Sequence, residues 1–348
     1  MTEIYILNHL GNTQPNDHNS FDTLITKTDN NLGKYRTVKS INNGRIISNL
    51  KYYSFNFTLN LNESIEDALI RRGSFTDKSQ FTITKTNLLP GKFNRRIYRP
   101  FLVENNIMLF ENGEHVSDSA KIEEFIKKDY IQLPNFIPVH TKQLLLGINQ
   151  LATLKEMLVS IFNTVYPIQD TTDPAKNNLS TFGHNIKNLL VLACIEVETQ
   201  LKGIFKANES NSKDKYTTND YIKLKDILHL DKYIVRLPFY PDLNEITPFE
   251  NWSANSPGPT KTLKWYDSYN AVKHNSEEDF HKANLENAIY AVCAVAILVQ
   301  AQYGKGMPYW KEEIGNFFEI KSEIEWTVDE KILPPMENSD WTPEVLGL

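Results

Sequence analysis

The sequence predicts an α+β protein with a mostly antiparallel β domain at residues 1–135, an all-helical domain at 136–305 and an extended tail at 306–348. In the first third of the chain, apolar residues recur at every second position, which is the period of a half-buried strand. Further along they recur at the period of a helix, about 3.6 residues. This change of period falls near Pro134 and Pro138, where a domain boundary is expected.

The N-terminal domain should consist of short strands joined by tight turns. The clearest strand spans residues 53–61, in which large apolar residues alternate with polar ones. A short helix is expected at residues 64–72, ended by Gly73, and a polar loop is expected at residues 12–31. Further strands are expected at residues 4–7, 35–41, 45–50, 80–86, 96–103 and 107–111, with turns at 43–44 and 112–113.

Two long amphipathic helices should open the helical domain. Apolar residues at helical spacing cover residues 144–165, and a second such stripe predicts a helix over residues 181–206. The sequence Ser-Pro-Gly-Pro at residues 256–259 disfavours helix, so the next helix should begin after it and cover residues 264–275.

A last helix is expected to end the helical domain. Asn275 or Ser276 can cap its first turn, with Asp279 placed where a carboxylate meets the positive end of a helix. The apolar stripe then continues to Tyr303, and Gly304 marks its end.

Composition and charge fit an ordinary cytoplasmic protein. The chain is 41% hydrophobic with a net charge of −6, so contact with a nucleic acid would need a local basic patch. Cys194 and Cys293 lie in apolar helical runs, as expected for buried thiols in a reducing compartment. The N-terminus lacks the pattern of a secretory signal, and the longest apolar run, residues 289–299, is too short to span a bilayer. A membrane role is not expected.

The densest basic cluster is Lys92, Arg95, Arg96 and Arg99, interleaved with apolar and aromatic residues. Cations that follow a phosphate backbone, with rings on which bases stack, would produce this pattern in an RNA-binding surface. A single charged strand face would produce it too. Both interpretations remain open.

The segment Lys-Trp-Tyr-Asp-Ser-Tyr-Asn-Ala-Val-Lys-His-Asn at residues 264–275 carries the strongest chemical signal. As a helix it places Tyr266, Asn270, Lys273 and His274 on one side, where they could bind or cleave a phosphodiester, because an imidazole can carry a proton near neutral pH. The alternative is a helix-end histidine with a purely structural role.

His274 and His281, with Asp279 between them, could be metal ligands, but this is disfavoured because Ser276 should break the helix and no further strong ligand is spaced for zinc. No glycine-rich phosphate loop is present in the sequence either. We therefore expect neither a metal nor an organic cofactor.

Two stretches resemble bacterial members of the HEPN-like superfamily. They are residues 181–208, TFGHNIKNLLVLACIEVETQLKGIFKAN, and residues 247–275, TPFENWSANSPGPTKTLKWYDSYNAVKHN. The resemblance covers roughly residues 140–305. It implies an all-helical bundle that forms a homodimer, cuts RNA without a metal, and serves in anti-phage defence or as a toxin.

Carried over residue by residue, the family's histidine falls on His274 and its polar residue on Asn270. The position of its arginine falls on Tyr269, so Lys273 would have to supply the missing positive charge. The resemblance then implies that the RNA 2′-hydroxyl attacks its own phosphate while His274 moves the proton and Lys273 or Tyr266 stabilises the charge.

Glu196 and Glu198 on the second long helix are candidates to orient the imidazole, and Tyr266 is also a candidate for RNA contact. A competing hypothesis is a catalytically silent HEPN module for dimerisation or for binding a ligand or a partner protein of a defence system, with residues 1–135 as sensor. A third hypothesis places an active site in the N-terminal domain, where no suitable group of residues stands out.

Overall fold

A computed structural model describes most of the chain, and the described chain divides into two compact units. The described residues are 2–10, 20–42, 45–52, 57–104, 108–111, 114–117, 120, 133–170, 172–173, 175–209, 213, 215–307, 309–310 and 314–347. The first unit comprises Met1–Phe93, Arg99–Pro134 and Glu325–Glu344, and the second comprises Asn94–Tyr98, Asn135–Ile324 and Val345–Leu348. Strands dominate the N-terminal part and helices the C-terminal part, so the protein is α+β.

The strands, in chain order, are β1 (Thr2–His9), β2 (Ser20–Phe21), β3 (Thr23–Thr28), β4 (Asn31–Asn42), β5 (Arg45–Tyr52), β6 (Phe57–Thr58), β7 (Phe81–Thr86), β8 (Lys92–Phe93), β9 (Val103–Glu104), β10 (Met108–Glu111), β11 (Glu114–His115), β12 (Tyr233–Arg236), β13 (Glu319–Ser322) and β14 (Thr342–Pro343). The α-helices are α1 (Ile65–Arg71), α2 (Pro138–Phe162), α3 (His184–Asn208), α4 (Thr218–Tyr221), α5 (Lys223–Ile227), α6 (Pro259–Thr262), α7 (Lys264–His274) and α8 (Leu285–Tyr303). Short 3₁₀ helices cover Lys78–Gln80, Pro134–Phe136, Leu230–Lys232, Phe280–Lys282 and Val328–Glu330.

The first unit is built around one sheet with the strand order β11-β10-β4-β3-β1-β7, to which β5 and β6 add by pairing with β4. All strand pairs in this sheet are antiparallel except the pair β10–β4, which is parallel. In the β4–β5 hairpin Asn42 pairs with Arg45, while the expected turn residues Asn43 and Gly44 lie outside the described residues. The helix α1 lies within the range predicted for it, and Ser64 caps its first turn.

Three predictions for the first unit were wrong. Residues 23–28, expected in a loop, form the interior strand β3, because Leu24 and Ile25 supply buried side chains within an otherwise polar stretch. Of the strand expected at 53–61, residues 53–56 lie outside the described residues, and β6 ends before Leu61, which is 91% exposed. Within the expected strand at 96–103, regular pairing begins only at Val103.

The second unit is a helical assembly whose central element is α8. This helix contacts α2, α3 and α7. All of its residues except Glu286, Asn287 and Tyr290 are buried, because its sequence is apolar on every side and can be stable only inside other helices. Both cysteines are buried in this core as free thiols, as the sequence predicted.

The bounds of α7 agree with the sequence prediction to within one residue and those of α3 to within three, but the start of α8 does not agree. The cap of α8 is Asn284, whose side-chain oxygen accepts a hydrogen bond from the Asn287 N–H at 3.0 Å. The predicted caps Asn275 and Ser276 lie well before it, because the 3₁₀ helix at residues 280–282 intervenes.

The C-terminal residues contribute to both units. In the second unit β13 pairs with β12, whereas residues 325–344 belong to the first unit, where β14 pairs with β8. By length and composition alone, α2 and α8 are apolar enough to cross a membrane. The apolar window of α8 is 83% buried within the structure, which is typical of a core helix, and that of α2 is 39% buried.

Candidate functional site

The helix α7, which carries the predicted site, runs antiparallel to α3. Near its start, Tyr266 donates a hydrogen bond through its phenol oxygen to Glu198 Oε1 at 2.6 Å. Just beyond its end, Ser276 Oγ accepts one from Lys187 Nζ at 3.2 Å. The residue number increases from 266 near the start of α7 to 276 just beyond its end, while that of the partner on α3 decreases from 198 to 187. The two helices therefore lie side by side and run in opposite directions.

The buried side of α7 is broader than the sequence indicated. Trp265, Tyr269 and Val272 are buried as expected, but Tyr266, placed on the polar side by the helical period, is only 8% exposed. Burial and the hydrogen bond to Glu198 raise the pKa of Tyr266 well above its ordinary value. From this position Tyr266 contacts α3 and presents little ring surface on which a base could stack.

Tyr269, the residue onto which the resemblance places an arginine, is 1% exposed and lies beneath Lys273. Lys273 Nζ donates a hydrogen bond to Tyr269 Oη at 3.1 Å and lies 5.1 Å from the centre of its ring. This hydrogen bond raises the pKa of Lys273, while burial raises the pKa of Tyr269. The buried phenol therefore keeps a surface ammonium charged and fixed in position.

His274 is exposed and Asn270 is half-buried. Neither side chain has a hydrogen-bond partner among the described residues. The imidazole of His274, adjacent to Lys273 in sequence, is open to solvent and free to meet a ligand. An imidazole and a fixed ammonium at the end of one helix can bind a phosphodiester and move a proton on it.

The two candidate carboxylates of α3 are occupied elsewhere. Glu198 accepts the hydrogen bond from Tyr266, and Glu196 accepts one from the Gln200 side chain. Partial burial raises the pKa of Glu196. Within the described part of the chain, neither carboxylate has a hydrogen bond with His274.

The structure adds residues that sequence reasoning missed, at the start of α3 beside the segment that follows His274. The ring of Phe280 lies 4.9 Å from His184, 5.7 Å from Phe182 and 5.6 Å from Lys187 Nζ. Phe182 is 50% exposed. We call Phe182, His184, Lys187 and Phe280 the aromatic corner. The run Thr-Phe-Gly-His-Asn-Ile-Lys before the apolar stripe of α3 was the available signal, but only the fold brings it to Phe280.

Arg96, predicted to contact RNA, is instead a structural residue of the helical unit. Its guanidinium donates hydrogen bonds to Gln302 Oε1 on α8 and Gln200 Oε1 on α3, both at 2.7 Å. Burial lowers the pKa of Arg96. A β-carbon added at Gly203 would lie 1.8 Å from an Arg96 nitrogen, so this glycine makes room for the guanidinium. Arg96 is therefore not presented to a nucleic acid.

The remaining basic residues of the cluster do not form one surface within a unit. Arg95 is exposed in the second unit, where its backbone N–H donates to Asn208 Oδ1 at 2.8 Å. Lys92 and Arg99 belong to the first unit, where both are half-buried and the Arg99 guanidinium lies 5.1 Å from the centre of the Trp326 ring. The alternation of basic and apolar residues seen in the sequence thus reflects several separate structural roles.

A cleft of about 380 Å³ opens at the other end of α7. Its lining includes Glu250, Lys264, Trp265, Glu286 and Tyr290, and neither His274 nor Asn270 belongs to it. Among the described residues, no group of three or more His, Cys, Asp or Glu side chains could hold a metal ion. Models of known protein families, curated proteins and solved structures were compared with the chain, and none matches.

Proposed function

We propose that the protein is a cytoplasmic HEPN-like homodimer that binds RNA and cleaves it without a metal, in anti-phage defence or as a toxin. The observation that carries this proposal is the exposed imidazole of His274 at the end of α7, next in sequence to Lys273, whose ammonium a buried phenol holds in place. The defence role and the dimer come from the resemblance of residues 181–208 and 247–275 to that family.

The reaction is an internal transfer at phosphorus. The 2′-hydroxyl oxygen of the RNA forms a bond to the neighbouring phosphorus and the bond to the 5′-oxygen breaks, leaving a 2′,3′-cyclic phosphate and a 5′-hydroxyl. His274 accepts the proton of the 2′-hydroxyl while water protonates the leaving 5′-oxygen, or in the protonated form His274 protonates that oxygen while water takes the proton of the 2′-hydroxyl. Lys273 stabilises the additional negative charge on the phosphate oxygens. This assignment leaves Tyr269 with an indirect role, because it positions Lys273.

The aromatic corner supports the proposal. Lys187 carries a positive charge next to the Phe280 ring, and Phe182 offers an exposed ring. Cations that contact phosphates and rings that stack on bases are the usual components of a surface that binds single-stranded RNA. The corner adjoins the segment after His274 through Ser276, so one strand could reach both.

A second candidate function, a silent HEPN module that binds a ligand or a partner protein, is favoured by one observation. Tyr269 is buried where the family places an arginine, so no guanidinium fork reaches the surface from that position. In this case the module serves in dimerisation or ligand binding, and the first unit acts as sensor.

Incubation of the purified protein with total RNA in EDTA tests the leading proposal. We expect cleavage by the unaltered protein, strong loss in His274→Ala, and full activity in the control His281→Ala, which removes another exposed histidine outside α7. RNA that stays intact with all three proteins, or is cut equally by all three, contradicts the assignment of His274. Tight RNA binding without cleavage would instead support the silent module.

A further inference from the structure

The helix α8 has only one side that is not buried, and that side faces the cleft. Glu286, Asn287 and Tyr290 are the three residues of α8 outside the core, and all three line the cleft. The residues of α8 that reach the surface thus lie at a single place, whereas its other polar side chains, Gln300 and Gln302 among them, are buried. Polar side chains can be solvated on a flat or convex surface. Sites for small ligands, in contrast, are concave, as this cleft is.

One part of the cleft lining is acidic. Glu250 and Glu286 both line it, and Thr247 holds Glu250 by donating a hydrogen bond to Glu250 Oε2 at 2.8 Å. The phenol of Tyr290 lies within the field of both carboxylates: its pKa is raised by burial first, and then by Glu286 and Glu250. This part of the cleft suits a positively charged group that can also lie against a ring.

The start of α7 supplies the opposite charge. Lys264, the first residue of α7, lines the cleft and has no carboxylate within ion-pair distance in the described part of the chain. The residue before it, Leu263, has no side chain that could cap the N–H groups of the first turn. Trp265, the next residue, also lines the cleft, and its ring is held in place by a hydrogen bond from Nε1 to the Pro248 carbonyl at 2.9 Å. A carboxylate would be attracted to Lys264 and to this end of the helix.

We propose that the cleft binds a free dibasic amino acid of the lysine or arginine type. The ligand carboxylate would contact Lys264, and its α-ammonium and side-chain cation would contact Glu286 and Glu250. The charges match, because two carboxylates and one ammonium in the cleft face one carboxylate and two cations in the ligand. A volume of about 380 Å³ is near the lower end of the usual range for ligand pockets, roughly 300–1,000 Å³, and suits a small molecule better than a nucleic-acid strand.

This site is separate from the proposed RNA site and does not depend on it. Lys264 and His274 are the first and last residues of α7. With a rise of about 1.5 Å per residue, their backbones are roughly 15 Å apart along the helix axis. A ligand in the cleft thus occupies the opposite end of the helix that carries His274.

Isothermal titration of the full chain with L-arginine and L-lysine tests the proposal, with agmatine and norleucine as probes that lack the carboxylate and the side-chain cation. We expect saturable binding of one or both dibasic amino acids and at least about tenfold weaker binding of the two probes, because each loses one charged contact. Glu286→Gln and Lys264→Met should each weaken binding about tenfold for the same reason.

Control variants separate the cleft from the general surface charge. Glu277→Gln and Lys305→Met alter exposed residues that do not line the cleft, and they should bind like the unaltered protein, as should His274→Ala. Binding that is absent for both amino acids, equally tight for agmatine, or unchanged in Glu286→Gln and Lys264→Met would overturn the proposal. His274 does not line the cleft, so the binding result does not depend on whether the protein cleaves RNA.

Discussion

The ammonium nitrogen of Lys273 lies 3.1 Å from the phenol oxygen of Tyr269, one turn earlier on the same helix. The phenol belongs to a ring that is almost fully buried in the helical core, so it is a rigid support, while the ammonium is at the surface. In the resembled family an arginine would occupy the position of Tyr269. Under the proposed function, Lys273 takes over the role of that arginine from a position four residues later, and its hydrogen bond to the buried tyrosine holds it there.

Tyr269→Phe should lower the rate of RNA cleavage clearly, while it lowers the free energy of unfolding only slightly. It removes one hydrogen bond, worth about 1 kcal/mol, but keeps the packing of the ring. The loss also removes the effect that raises the pKa of Lys273 and frees its ammonium to move. Cleavage rates and urea unfolding of the single variants and of Tyr269→Phe with Lys273→Met check this. Additive effects of the two substitutions on cleavage would show that the residues act independently.

Lys187→Met should weaken RNA binding and make it less dependent on salt. Removal of one cation–phosphate contact lowers the slope of the logarithm of affinity against the logarithm of salt concentration by roughly 0.7 for a single strand. Titrations at several salt concentrations measure this slope. Lys305→Met, which alters an exposed lysine outside the aromatic corner, is the matched control and should leave the slope unchanged.

Gly203→Ala should destabilise the helical unit by about 1–3 kcal/mol, although the same change in an open helix position would stabilise it. The new methyl group would collide with Arg96, whose side chain cannot swing away without losing its hydrogen bonds to Gln200 and Gln302. Gly183→Ala is the control, because a β-carbon there meets nothing within 4 Å. Equal unfolding free energies for the two variants would contradict the role assigned to Arg96.

Glu196→Gln should stabilise the protein increasingly as pH rises. Burial raises the folded-state pKa of Glu196, so the folded protein holds this proton more tightly than the unfolded chain. The free energy of unfolding therefore decreases as pH rises from the ordinary pKa of a glutamate through the raised pKa of Glu196 in the folded state. Glutamine keeps an oxygen for Gln200 and never ionises, so the unfolding free energy of the variant relative to the unaltered protein should increase over this pH range. The exposed control Glu277→Gln should show no such trend.

The regular helices could be predicted from the sequence because their apolar periods are long. The bounds of α7 needed only the Ser-Pro-Gly-Pro segment before it and its own stripe. Burial of Tyr266 could not be predicted, because it depends on Glu198, a partner 68 residues away on another helix. The helical period predicts the side of the helix on which a residue lies. Whether a polar residue on that side is buried depends on a partner in the neighbouring helix.

The basic cluster and the aromatic corner show the same limit. Arg96 looks like a surface cation in sequence, and only its hydrogen bonds to Gln200 and Gln302, more than 100 residues away, hold its guanidinium against the helices. Phe280 and Lys187 likewise come together only through the packing of α7 on α3. Local sequence patterns predicted the long helices but not the interior strand at residues 23–28, and the groups of side chains that could carry function depend on distant pairs.

Cleavage of an RNA oligonucleotide and of its fully 2′-O-methylated counterpart, both in EDTA, tests the central proposal most directly. If His274 and Lys273 promote attack by the 2′-hydroxyl, the RNA is cut to products with 2′,3′-cyclic phosphate and 5′-hydroxyl ends, the methylated strand stays intact, and His274→Ala cuts neither. A methylated strand that is cut as fast as RNA, or an RNA strand that stays intact with the unaltered protein, would contradict it.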